Sequence, residues 1–106
     1  MNKYQSNQFQ IFDNLHAEKT LLIKRLHWAI ALAEETGEVE KEIKKNLIFN
    51  SQSDEETVDK LSEELGDVLL CISMIASYYK IDLDFIVETS LDKMQKRFTK
   101  TEDSRI

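Results

Sequence analysis

The chain has no proline, two glycines, one cysteine and one tryptophan in 106 residues. Missing proline and nearly missing glycine remove the usual punctuation of tight turns and sheet edges, which moves the expectation to an all-α fold of few, long helices. A lone cysteine, Cys71, leaves no partner for an intramolecular disulfide; set in an apolar run, it reads as a small buried residue of a protein in a reducing, cytoplasmic compartment. A membrane span is excluded as well, because the greasiest stretch, residues 68–79, is too short and is broken by Ser73 and Ser77. The polar opening MNKYQSNQFQ does not have the pattern of a signal sequence. Basic residues are in deficit, 14 against 20 acidic for a net charge of −6, so a nucleic-acid polymer is not an expected partner. A small phosphate compound remains open to an acidic protein, provided that a cation mediates.

What is present is helical periodicity. Tyr4, Phe9, Phe12 and Leu15 recur at helical spacing and predict a first helix over about 3–18. A second, over 20–46, carries Leu22, Leu26, Ala29, Ala33 and Gly37 along one stripe and Leu32, Val39 and Ile43 along the next, which predicts a wide buried face. The stretch NLIFNSQSD breaks the pattern, and Ser53 followed by Glu56 has the form of a capping box for a third helix over 54–80. The second half of that helix is apolar nearly all round and so predicts a subunit interface. Asp82 is placed to cap a fourth helix over 83–98. The expected architecture is a four-to-five-helix bundle built on an αα-hairpin, one domain over 1–98 with a polar tail over 99–106, completed by dimerisation or as a dimer of dimers.

Both glycines lie inside predicted helices, where each costs about 1 kcal/mol relative to alanine. They belong to one phrase written twice: AEETGEVEKEI at 33–43 and SEELGDVLLCI at 62–72. Positions three apart share a helix face, so Glu35 with Glu38 and Glu64 with Asp67 each project as a pair. Facing each other across a hairpin, the pairs would bring four carboxylates to one point. Like charges so close repel and favour the arrangement only around a cation. All-oxygen ligands point to Mg²⁺, with Mn²⁺ as the other candidate. The plain alternative is a pair of solvated acidic faces, because Glu-rich helices are common. Repetition of the whole phrase, glycine included, favours the metal reading, with Gly37 and Gly66 letting the two helices approach closely.

Rotation by 100° per residue puts Lys24, Trp28, Ala31, Glu42 and Lys45 on the Glu35/Glu38 side of the second helix, and Lys60, Cys71, Met74 and Tyr78 on the Glu64/Asp67 side of the third. Trp28 lies about 10 Å along the axis from the carboxylates. That distance suits a plate on which a nucleobase stacks, against the alternative of a core tryptophan. Lys93 and Arg97 form a basic strip one turn apart that could hold phosphates, although helix C-termini attract such residues in any case.

The sequence resembles the MazG-like all-α nucleoside triphosphate pyrophosphohydrolases, which are related to the dimeric dUTPases. Their pattern of E-x-x-E, a spacer and E-x-x-D is met by ETGE at 35–38 and ELGD at 64–67, and the similarity extends to YQ at 4–5, LHWAIALAEETGEVEKEIKK at 26–45, EELGDVLLCISMIA at 63–76, IDLDFI at 81–86 and KMQKRF at 93–98. The resemblance implies that Glu35, Glu38, Glu64 and Asp67 are Mg²⁺ ligands and that Lys93 and Arg97 approach the phosphates. Many relatives carry an aromatic residue at the position of Cys71 and an Asn at that of Ser90, positions that help hold the nucleotide. The reaction implied is NTP or dNTP plus water to NMP plus pyrophosphate, a house-cleaning of nucleotide pools. In it Trp28, Lys45, Cys71, Ser90, Lys93 and Arg97 are the candidate substrate contacts, and Glu34 and Glu63 the candidates for orienting water. A non-catalytic helical interaction module with solvated acid pairs is the rival class.

Overall fold

The computed structural model describes residues 2–101, and every regular element among them is an α-helix. The four helices are α1 (Lys3–Leu15), α2 (Leu21–Leu47), α3 (Asp54–Tyr78) and α4 (Leu83–Thr101). Each starts on a side chain able to accept from the first turn. Asn2 accepts from Gln5 N, Thr20 from Ile23 N, and Asp82 from Asp84 N. At α3 the expected capping box is complete, with Ser53 Oγ accepting from Glu56 N and the Glu56 carboxylate accepting from Ser53 N.

The helix ends depart from the periodicity by two or three residues. α3 stops at Tyr78 because Lys80 takes the left-handed conformation at φ 57° that glycine usually supplies; Ile81 N then donates to Ala76 O and Lys80 N to Ser77 O, the pairing of a Schellman turn. Asn50, at φ 51°, does the same in the α2–α3 loop. α4 continues to Thr101, three residues into what reads as a polar tail. Residues 102–106 of that tail lie outside the described residues.

The chain is a flat, open arrangement. α2 and α3 pack along their length as an antiparallel hairpin, and α1 lies across α3. Among the described residues, α4 makes only slight contact with the other helices, near its start. The radius of gyration of 17.1 Å exceeds the roughly 13 Å of a compact domain of this size. The core is the seam between α2 and α3, where Trp28, Cys71, Met74 and Tyr78 are buried under Phe9 and Phe12 of α1. Phe9 meets the Tyr78 ring edge-on at 5.2 Å.

Two expectations are corrected here. The Leu22, Leu26, Ala29, Ala33, Gly37 stripe of α2 faces outward, with Leu22 73% exposed, because the stripe carrying Trp28 and the acidic pair turns toward α3 instead. And the second half of α3 is covered within the chain on the side of Cys71, Met74 and Tyr78, by α1 and α2, so that side does not require a partner, whereas Leu69 and Tyr79 stay exposed. Apolar surface without cover also lies on α4, at Phe85, Val87, Leu91 and Met94, and along the start of α2. No helix among the described residues is long and apolar enough to cross a membrane.

Candidate metal centre

The α2–α3 seam changes character along its length. From Trp28 and Met74 it is apolar; one to two turns further it becomes acidic, because the same stripes continue into Glu35, Glu38 and Glu42 on α2 and into Asp67 and Glu64 on α3. Antiparallel pairing makes the two acidic ends coincide. One carboxylate oxygen from each of Glu35, Glu64 and Asp67 lies within 4.8 Å of the others, and the same holds for Glu38, Glu42 and Glu64. Glu64 belongs to both trios.

All four carboxylates expected as ligands are therefore brought together, and Glu42 joins them. Glu42 is the most buried of the five, 5% exposed, and was legible as a face neighbour four residues after Glu38 and seven after Glu35. The Glu64 carboxyl is pushed above the usual range by burial first, and then by the charges of Asp67, Glu35, Glu38 and Glu42. Glu42 is pulled the other way: burial opposes its charge, but the bond from Gln52 and the nearby Lys45 and Lys60 ammoniums more than offset it. Gln52 carries no ligand-like signal in the sequence, because it comes from the loop and its role depends on how that loop folds back.

The remaining expected residues are placed less uniformly. Lys45 stands 3.6 Å from Glu42, at the edge of the cluster. Cys71 is buried beneath it, its thiol pushed up by burial and by Glu35 and Asp67. Glu34 and Glu63 are exposed and belong to neither trio. Trp28 is only 5% exposed and packs at right angles against Phe12 and His27, so it is a core residue with no open face for a base. Ser90, Lys93 and Arg97 line an open groove of about 400 Å³ whose other walls, Ile86, Thr89 and Met94, are also on α4. None of the cluster carboxylates lines that groove.

The glycine expectation fails within the chain. Gly37 and Gly66 point away from the seam, and a Cβ at either would meet nothing within 4 Å. Close approach of α2 to α3 does not depend on them, because the seam runs along other stripes. Tyr4, expected only as an apolar position of the first helix, has its phenol pushed up by burial first and then by the charges of Asp67 and the Cys71 thiol, which puts α1 at the rim of the cluster.

The family of the MazG nucleotide pyrophosphohydrolase domain matches residues 25–101, a span that takes in nearly all of α2, all of α3 and α4, and both acidic pairs. The chain belongs to this family. The MazG domain here is also similar to an uncharacterized protein, YvdC, of Bacillus subtilis (strain 168), 32% identical over 73 residues that make up 63% of this chain and 69% of that one. No solved structure matches. MazG domains generally use a divalent metal, and the donor set fits one: both trios offer carboxylate oxygen alone, with neither imidazole nor thiolate, the chemistry that suits Mg²⁺ or Mn²⁺.

Proposed function

We propose that this MazG domain hydrolyses nucleoside triphosphates, NTP or dNTP, to the monophosphate and pyrophosphate, with Mg²⁺ held by Glu35, Glu38, Glu64 and Asp67. The observation that carries this reading is the convergence of both acidic pairs on Glu64 in a chain of this family. Bound divalent cation would neutralise triphosphate charge and make a water more acidic. The side chains do the rest. Glu35, Glu38, Glu64 and Asp67 fix where the triphosphate must sit, by holding its counter-charge on the α2–α3 seam. Lys45, at the edge of the cluster, contributes a point charge for phosphate oxygens. Glu34 and Glu63, adjacent to ligands in sequence and open to solvent, are the candidates for orienting the attacking water.

The working form is a homodimer, or a tetramer of two such dimers, in the cytoplasm. Support comes from the uncovered apolar residues of α4 and from the outward stripe of Leu22, Leu26, Ala29 and Ala33. A second copy over these faces would also bring the Ser90, Lys93 and Arg97 groove of one chain toward the carboxylate cluster of the other. Cys71, buried under the cluster, belongs in this reading to the floor of the same site.

Purified protein incubated with Mg²⁺ and a panel of ordinary and modified dNTPs, with products separated by chromatography, tests the proposal. Monophosphate and pyrophosphate are expected, with loss of at least a hundredfold in Glu38→Gln and Asp67→Asn. If no nucleotide turns over and Mg²⁺ produces no thermal shift, the non-catalytic helical module is the better description.

A further inference from the structure

We infer that Glu42 is a fifth carboxylate of the centre, forming with Glu38 and Glu64 a second cation position beside that of Glu35, Glu64 and Asp67, and that Gln52 of the α2–α3 loop holds it there. This rests on reading the cluster as a cation centre. The first argument is reach. From Glu35 to Glu42 the helix rises about 10 Å, too far for one ion to be shared by all five groups. The carboxylates divide accordingly into two trios, each within 4.8 Å, with Glu64 common to both. A carboxylate shared between neighbouring cations is the arrangement of two-metal sites that act on phosphates.

The second argument is how Glu42 is held. The loop after α2 turns back at Asn50 and inserts Gln52, which is itself buried. The Gln52 side-chain amide donates to Glu42 Oε1 at 3.2 Å and to Thr57 Oγ1 at 3.0 Å, while its backbone carbonyl accepts from Asn46 Nδ2 at 3.1 Å. One oxygen of Glu42 is thus clamped by a neutral donor. The other pairs with Lys45 at 3.6 Å, the lysine being one-third exposed. That separation is well beyond the roughly 2.7–2.9 Å of a close charge-assisted hydrogen bond. An ordinary i, i+3 pair on a helix surface would need neither burial of the acid nor a loop residue to fix it. The structure thus presents a carboxylate oriented from behind, beside two others, with a long ion pair to an ammonium at the oxygen where a cation would go.

Titration of metal-stripped protein with Mn²⁺, followed by electron paramagnetic resonance, tests this. Wild type is expected to bind two Mn²⁺ per chain and, when filled, to show the broadened spectrum of a spin-coupled pair. Glu42→Gln is expected to bind one and to lose the coupling. Gln52→Ala should retain two with the second at least tenfold weaker. Lys45→Gln should tighten the second by threefold or more, and this variant decides the matter if Glu42→Gln does not fold by circular dichroism. One Mn²⁺ per wild-type chain, or equal stoichiometry and affinity in wild type and Glu42→Gln, overturns the assignment of Glu42 and leaves the centre of Glu35, Glu64 and Asp67 standing. An unchanged or weaker second site in Lys45→Gln likewise counts against it. No Mn²⁺ binding by wild type removes the cation centre as a whole.

Discussion

The Tyr78 hydroxyl donates to Asp13 Oδ1 at 2.6 Å, tying the last residue of α3 to α1 across 65 positions of sequence. The same oxygen accepts from Lys24 Nζ at 2.8 Å, so three helices meet at one atom. Tyr78→Phe removes one charge-assisted bond and keeps the ring in the core, a loss of about 1.5 kcal/mol. Calorimetry should show Tm lowered by roughly 5–10 °C. The pH profile has two limbs. Lys24 first, and Tyr78 second, hold the Asp13 carboxyl below the usual range, so the stabilisation is complete above the ordinary aspartate value and fades as pH falls through the depressed one, below about pH 4. Burial first, and the Asp13 bond second, push the Tyr78 phenol up; nothing is lost until pH exceeds the ordinary tyrosine range near 10, above which the unfolded state is favoured. Tyr78→Phe should flatten the alkaline limb and Asp13→Asn the acid one.

The carboxylate cluster makes the opposite signature. Burial, then Asp67, Glu35, Glu38 and Glu42, raise the folded-state value of Glu64. A raised value means that its contribution is present at low pH and is lost as pH rises through the folded value. Without metal, ionising Glu64 therefore costs the folded state stability. Glu64→Gln is expected to melt higher than wild type in the presence of a chelator and to show no upward shift with Mg²⁺, whereas wild type shifts upward. A variant that melts lower in chelator, or that still responds to Mg²⁺, would make Glu64 a structural residue and not the shared ligand. Stabilisation combined with loss of turnover is the mark of a group placed for chemistry at the expense of the fold.

The helices and the acidic pairs were legible because both are local: caps, 3.6-residue periodicity and i, i+3 spacing all act within one or two turns. The Ser53–Glu56 box and the Asp82 cap fall where the sequence places them. Which stripe of α2 is buried was not legible, since Leu22 and Leu26 are more apolar than Trp28 with its acidic neighbours, and hydropathy alone ranks the stripes the wrong way. Pairing with α3 decides, because Cys71, Met74 and Tyr78 need Trp28 opposite them. Gln52 and Asp13 were invisible for a different reason: a loop amide or a surface acid gains its role only from residues far off in sequence, Glu42 and Thr57 in one case and Tyr78 in the other.

Gly37 and Gly66 separate two explanations of a glycine in a helix. Neither has positive φ, and nothing lies within 4 Å of a Cβ built at either position. Gly37→Ala and Gly66→Ala should each stabilise the isolated chain by about 0.5–1 kcal/mol, a rise in Tm of a few degrees. Light scattering on the same samples reads the other explanation. If a second copy packs its helix against Gly37, the alanine variant melts lower and dissociates at a concentration where wild type stays associated. A Gly37→Ala protein that is both more stable and unchanged in mass would mean that the outward stripe of α2 is not a close interface.

Gln5 fixes the start of α4, and so the direction in which Ser90, Lys93 and Arg97 are carried. Its side chain is fully buried: Nε2 donates to Ser77 Oγ at 3.2 Å and to Ile81 O at 2.8 Å, and Oε1 accepts from Leu83 N at 2.8 Å. α1 thereby satisfies both a loop carbonyl and a first-turn amide of a helix that has no packing of its own along its length. Gln5→Met preserves volume and leaves Ile81 O and Leu83 N without partners, a cost of about 2–4 kcal/mol. Hydrogen exchange should show protection of the Leu83 amide lost before that of the α2–α3 seam. Because α4 carries the basic strip while the carboxylates sit on α2 and α3, the variant should keep metal binding and weaken nucleotide binding. If Mn²⁺ affinity falls together with nucleotide affinity, the orientation of α4 and the integrity of the seam are not separable, and Gln5 acts on the fold as a whole.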